Sequence, residues 1–310
     1  MQEGIQVLDD LKLNFSPEGL FILNFTLFFI MFGVALDIKI SHIKEVFARP
    51  KPAIIGYCCQ FFLLPAITFL LIWTLKDYLS PGVALGMILM AACPGGNISN
   101  FFSALAKGNP ALSISLTALA TLSASLLTPL NFAFWGNLYA ANNPLLVPIE
   151  IDTLELIKMV MIILGIPTIL GMWFNHRFPG LTQKIKKPIK SLSMIIFFAY
   201  VIIAFSFNFD YFTQYIKYVF WLVLAHNTLA ILTGFGVATL FGVSKRNRRS
   251  ISIETGIQNS GLALILIFNP AVFPEELDTG GMAMIAGWWS IWHILSGFAI
   301  ALFWARKPLV

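Results

Sequence analysis

Charge is scarce in this chain. Asp, Glu, Lys and Arg together make up 11% of its 310 residues, roughly half the share a soluble domain carries. Apolar types fill 58% of it, more than one soluble core can hide, so the hydrocarbon layer of a bilayer is the expected solvent for most side chains. Cysteine is scarce too. Cys58, Cys59 and Cys93 lie inside apolar runs, which gives no disulfide framework and no metal-ligand spacing; they read as small packing residues. Hydrolase signatures are missing: there is no H-E-x-x-H and no Asp pair within an apolar run, and no nucleophile motif accompanies His293, so an enzyme is not expected. The net charge of +5 does not point to nucleic acid, because the basic residues sit in short loops between apolar runs. A cleaved signal is not expected either. Acidic Glu3, Asp9, Asp10 and Glu18 occupy the N-terminus and no A-x-A-like site follows the first apolar run, which reads as a retained span.

What is present is a series of long apolar runs. Nine are expected to cross the membrane, at about 19–36, 52–75, 81–106, 111–134, 154–174, 189–207, 218–241, 250–268 and 281–304, each near the length of an apolar helix that spans a bilayer. The loops set the orientation. With the N-terminus outside, 16 of the 20 Lys and Arg residues fall inside, among them Lys39, Lys44, Arg49, Lys107, Arg177, Lys245 and Arg249. The positive-inside rule then favours an outer N-terminus and a cytoplasmic C-terminus, in a plasma or bacterial inner membrane. Glu150, Glu275, Glu276 and Asp278 fall outside, in agreement. Asn14-Phe15-Ser16 is a glycosylation sequon on that same side, meaningful only in a eukaryote.

An internal repeat is legible. Span 3 is interrupted at Cys93-Pro94-Gly95-Gly96-Asn97-Ile98-Ser99-Asn100 and span 8 at Glu254-Thr255-Gly256-Ile257-Gln258-Asn259-Ser260-Gly261. They lie five spans apart, and an odd offset makes the two copies antiparallel in the bilayer. Glycine- or proline-broken segments at corresponding places in two halves point to the binding site of a transporter.

Glu254 is the one acidic residue set well inside an apolar span, and no Lys or Arg lies deep in a span to pair with it. An ionised carboxylate there costs at least a few kcal/mol unless compensated, so it is protonated or faces a cation. Neutral oxygens accompany it. Ser113, Thr117 and Thr121 form an i, i+4, i+8 stripe on span 4, Ser99 and Asn100 follow the first break, and Gln60 is the amide in the middle of span 2. With unwound backbone carbonyls these make an all-oxygen set suited to Na⁺. Half-helices that begin after Gly96 and Gly256 would present free N–H groups and a positive dipole end to an anion. Together these features suggest cation-coupled uptake of an organic anion. His293 in span 9 is read as a substrate contact or a helix-bridging donor, and Trp288-Trp289 as an interfacial anchor.

At these residues the chain resembles the bile acid:sodium symporter family. The resemblance is carried by the run from Pro94 to Asn100, by A-L-S-x-x-x-T from Ala111 to Thr117, by E-T-G-x-Q-N from Glu254 to Asn259, and by Gln60 followed by an apolar run and Pro65. It covers nearly the whole chain. It implies one all-α membrane unit with an inverted repeat and two crossed broken helices, divided into a panel (about 19–75 and 154–207) and a core (about 81–134 and 218–304). It also implies two transported sodium ions. The first would be held by Ser99, Asn100, Ser113, Thr117 and Glu254. The second would be held by Gln60, Glu254 and Gln258 with the carbonyls of Thr255 and Ile257. The organic anion would meet Asn97, Asn259, Ser260 and His293; beside His293, Ile294 stands where bacterial relatives carry Asn. The rival reading is a Na⁺/H⁺ antiporter of related broken-helix architecture.

Overall fold

Proline opens five of the helices, at Pro17, Pro50, Pro81, Pro110 and Pro179. Its fixed φ suits the first helical position and its missing N–H is one the helix would leave unused there. Side-chain caps reinforce four starts: Ser80 accepts from Val83 N, Asn109 from Leu112 N, Asp152 from Leu154 N and Glu155 N, and Asn259 from Leu262 N. In the computed structural model, residues 7–11, 17–38, 50–142, 152–207, 209–269, 272–273 and 279–307 are described. The loop charges Lys39, Lys44, Arg49, Glu150, Glu275, Glu276 and Asp278, the terminal Glu3 and the sequon at Asn14 lie outside them.

Among the described residues every element is helical: α1 (Pro17–Ala35), α2 (Pro50–Thr74), α3 (Pro81–Ala92), α4 (Ser99–Leu105), α5 (Pro110–Ala141), α6 (Thr153–Arg177), α7 (Pro179–Phe207), α8 (Phe209–Leu240), α9 (Lys245–Gly256), α10 (Ser260–Ile267) and α11 (Gly280–Ala305). Five of these, α2, α5, α6, α8 and α11, are long and apolar enough to cross a membrane. They expose large apolar side chains such as Phe62, Leu70, Phe134, Ile169 and Trp221, a surface that hydrocarbon solvates and water does not.

Two helices slip by one residue at the same kind of place. α2 has a π turn at Cys59–Leu63 just before Pro65, and α6 has one at Met161–Gly165 just before Pro167. A proline inside a helix cannot donate to the ladder, and a π turn absorbs the defect without breaking the helix. α3 does break. Cys93 is extended (φ −68°, ψ 150°), the conformation imposed on a residue that precedes proline, here Pro94.

The helices pack in two groups. α1 lies along α6 and α7, with Lys186 and Asp37 paired at 3.2 Å at one end. α2 packs on α3, α5, α8 and α9; expected with the first group, it neighbours the helices that carry the breaks. The main apolar cluster runs between α3, α10 and α11 and takes in Met87, Leu89, Leu262, Ile285 and Trp289. Trp289 is fully buried, its ring 4.8 Å from that of His226 at 67°. The interfacial anchor expected of the Trp288-Trp289 doublet is therefore corrected: consecutive helix positions point about 100° apart, which places Trp289 in the core while Trp288 packs on Phe212 and Phe220.

Candidate functional site

The two breaks meet. Gly95 and Gln258 form an isolated antiparallel bridge. Gly96 N donates to Ile257 O at 2.6 Å and Asn259 N to Pro94 O at 2.9 Å. Backbone groups orphaned where α3 and α9 end thus satisfy one another. The approach is possible only without side chains: a Cβ on Gly96 would lie 2.8 Å from Gln258 O, and one on Gly95 would lie 3.1 Å from Glu254 Oε2.

Glu254, on the last turn of α9, points into this crossing and is 4% exposed. Ser99 Oγ donates to its Oε1 at 2.5 Å, and Ser113 Oγ donates to the same oxygen. Thr117 Oγ1 donates to both carboxylate oxygens, at 3.2 and 3.0 Å, and lies 3.3 Å from Asn100 Oδ1. The carboxylate is solvated by hydroxyls in place of water. Among the described residues no ion pair reaches it; Arg249, one and a half turns earlier, is buried and donates to Ala106 O and Lys307 O at the C-terminal ends of α4 and α11. Helical spacing explains the arrangement: Ser113 and Thr117 are one turn apart on α5, and Ser99 opens α4.

A second polar set adjoins the first. Gln60, in the π turn of α2, donates through Nε2 to Cys93 O and to Gln258 Oε1, both at 2.9 Å. Gln258 Nε2 donates to Thr255 O at 2.7 Å. The structure therefore brings Gln60, Gln258 and Thr255 into one network beside Glu254, and places Ile257 O in the crossing itself. Carboxylate, hydroxyl, amide and carbonyl oxygens are the donors a hard cation uses.

The expected anion contacts are less tightly gathered. Asn97 and Asn259 flank the crossing on its two chains and are partly buried, with Oδ1 of Asn97 lacking a partner. Asn259 caps α10 by accepting from Leu262 N at 3.2 Å. Ser260 begins α10 and is buried. His293 is buried on α11 with Nδ1 unpartnered; α11 packs on α4 one turn later, where Gly297 meets Phe102. No hydrogen bond among the described residues joins His293 to either asparagine.

One residue was missed. Asn227 of α8, 1% exposed, donates from Nδ2 to Gly256 O at 2.7 Å and so holds the carbonyl between Thr255 and Ile257. The polar doublet His226-Asn227 inside an apolar span was the available signal.

The chain is similar to known proteins along most of its length. The model of the Sodium Bile acid symporter family matches residues 24–215. The "Uncharacterized sodium-dependent transporter YocS" of Bacillus subtilis (strain 168) is 31% identical over 313 residues, 98% of this chain and 91% of that protein. The "Sodium-dependent organic anion transporter" of Bos taurus is 26% identical over 303 residues, covering 96% and 75% of the two chains. The human "P3 protein" is 27% identical over 258 residues, and the match spans 82% of this chain but 52% of that longer one, about half its length.

Proposed function

The chain belongs to the Sodium Bile acid symporter family, and we propose that it is a symporter that couples sodium entry to uptake of an amphipathic organic anion. The family is one of sodium-dependent transporters, not enzymes. The observation that carries the proposal is Glu254: a buried carboxylate with three hydroxyl partners at the crossing of two broken helices.

In this reading the chain has nine spans in an inverted repeat, N-terminus outside, with α3–α4 and α9–α10 as spans 3 and 8. The moving units are a panel of α1, α6 and α7 and a core that holds α2 with the remaining helices, a division that follows the packing of α2. One sodium sits among Ser99, Asn100, Ser113, Thr117 and Glu254. A second sits among Gln60, Gln258, Glu254 and the carbonyls of Thr255 and Ile257. Gln60 and Gln258 now turn Nε2 toward Cys93 O and Thr255 O; loading the second site requires both amides to rotate so that Oε1 faces the ion. Rotation frees those carbonyls and couples the cation to the pairing of the two breaks. The anion then binds beside Asn97, Asn259 and Ser260, with His293 behind them. A cavity of 560 Å³ lined by Leu122, Ile169, Trp173 and His176 lies between core and panel and supplies a cytoplasmic exit.

Two sodium ions with one monoanion move one net positive charge. A potential of 100 mV then adds roughly 2.3 kcal/mol per cycle. The antiporter reading is not favoured: the relatives' names describe sodium-dependent transporters and organic anion transporters, and among the described residues no buried Lys or Asp faces Glu254. The test is uptake of radiolabelled bile salts, steroid sulfates and small carboxylates into proteoliposomes. At least one should accumulate under an inward Na⁺ gradient and not with choline. Accumulation indifferent to sodium across the whole set would refute the proposal.

A further inference from the structure

The hydroxyl stripe of α5 does not stop at the Glu254 site. Thr121 Oγ1, one turn beyond Thr117, bonds back to Thr117 O at 2.8 Å. Ser125 and Thr128 continue the stripe, 3% and 0% exposed, and neither hydroxyl has a hydrogen-bond partner. That is unusual, because a helical Ser or Thr can bond back to the carbonyl four residues before it, as Ser123 of the same helix does to Leu119 O. A buried polar group left without a partner calls for an explanation.

The neighbours supply one. Ser125 Oγ faces Gly165, the last residue of the π turn in α6; a Cβ there would lie 3.0 Å from it. Pro167 has no N–H to give to that turn, whose ladder shifts so that Ile166 N donates to Met161 O. An unpartnered hydroxyl thus lies on the α5–α6 seam about two turns from Thr117. The same seam behaves differently one turn nearer the N-terminal end of α5, where Leu122 of α5 and Ile169, Trp173 and His176 of α6 part around the 560 Å³ cavity. One end is open and the other is closed over groups that water or a cation would satisfy.

We propose that Ser125 and Thr128 line the outer access route by which sodium reaches Glu254. The inference rests on the symport reading above. When core and panel rock, the open end closes and the end at Ser125 and Thr128 opens. The two hydroxyl oxygens then donate lone pairs to an entering sodium ion in place of some of its waters. Being neutral, they pass the ion on to the carboxylate and do not trap it.

The test is thiol labelling from the outside. Ser125→Cys and Thr128→Cys, each close to isosteric, are placed singly in the full chain and treated in right-side-out vesicles with an impermeant, positively charged methanethiosulfonate. The parent chain gives the background of its native cysteines. Leu130→Cys, at a lipid-exposed position of the same helix, reports reaction not mediated by an aqueous route. The expected result is labelling above both controls at either position, with a rate that changes at least threefold when sodium replaces choline. No labelling above the controls, or equal rates in the two media, overturns the proposal. Should one variant not fold, the other carries the measurement alone. Because no anion is needed, the two readings separate: a parent that takes up anion with sodium while both cysteines stay unreactive refutes the route and leaves symport standing. Conversely, sodium-sensitive labelling of the cysteine variants, with no sodium-dependent uptake by the parent, upholds the route and refutes symport.

Discussion

Replacing Gly96 with alanine should loosen the crossing on which the site is built. The added Cβ would lie 2.8 Å from Gln258 O and 3.2 Å from Gln258 C. Both are backbone atoms, so no flexible side chain can yield, and the two segments must separate by several tenths of an ångström. Separation lengthens the bonds from Gly96 N to Ile257 O and from Asn259 N to Pro94 O, now 2.6 and 2.9 Å. Overpacking of this kind costs about 1–3 kcal/mol, and weakening each backbone bond adds up to about 1 kcal/mol. The sum, about 1–5 kcal/mol, corresponds to a fall in Tm on the order of 2–15 °C at a few degrees per kcal/mol. Thermal unfolding of the detergent-solubilised protein measures it, with sodium-dependent uptake read in parallel. Gly236→Ala is the control, since nothing lies within 4 Å of a Cβ there; inside α8 alanine should be neutral or stabilise by about 0.4–1 kcal/mol. If Gly96→Ala melts within 2 °C of the parent (roughly the shift of a single kcal/mol) and keeps its sodium dependence, the crossing is not held in the manner described.

Two further outcomes follow from side-chain contacts. Asn227→Leu removes the donor to Gly256 O; at about 1–3 kcal/mol for a carbonyl left unsatisfied, the sodium concentration for half-maximal uptake should rise about tenfold with the apparent affinity for the anion changing less, and equal changes in both would indicate a general loss of structure. Trp289→Ala empties a fully buried site against His226 and should cost about 3–5 kcal/mol, whereas Trp288→Ala, on the partly buried side of α11, should cost less; comparable melting temperatures for the two would refute the core placement of Trp289.

Some of this was legible in residue order and some was not. Pro94 with Gly95 and Gly96 forces a break whatever surrounds it, and an isolated Glu254 in an apolar run demands partners, so the two breaks and the Glu254–Ser113–Thr117 contact follow from local rules. Helical spacing is enough to place hydroxyls one turn apart. Gln60 stands out as an amide in an apolar span, but it reaches Gln258 across 198 positions of sequence, and only the family resemblance joined those two. The packing of α2 on α3, α5, α8 and α9 was not legible, because an apolar helix in lipid carries no stripe that says which neighbour it prefers: hydrocarbon and helix face are equally apolar. Trp289 was misread for a related reason, since a tryptophan doublet is as compatible with a buried face as with the interface. Asn227 escaped because its partner is a backbone carbonyl, which residue identity does not mark.

The central claim is that Glu254 holds a transported sodium ion. Equilibrium binding of ²²Na⁺ to the purified parent and to Glu254→Gln tests it most directly. Removing one charge from a buried, oxygen-lined pair costs about 3–5 kcal/mol, so binding to the variant should weaken by at least about 100-fold, at 1.4 kcal/mol per tenfold. Parent-like ²²Na⁺ affinity in a well-folded Glu254→Gln protein would contradict the account.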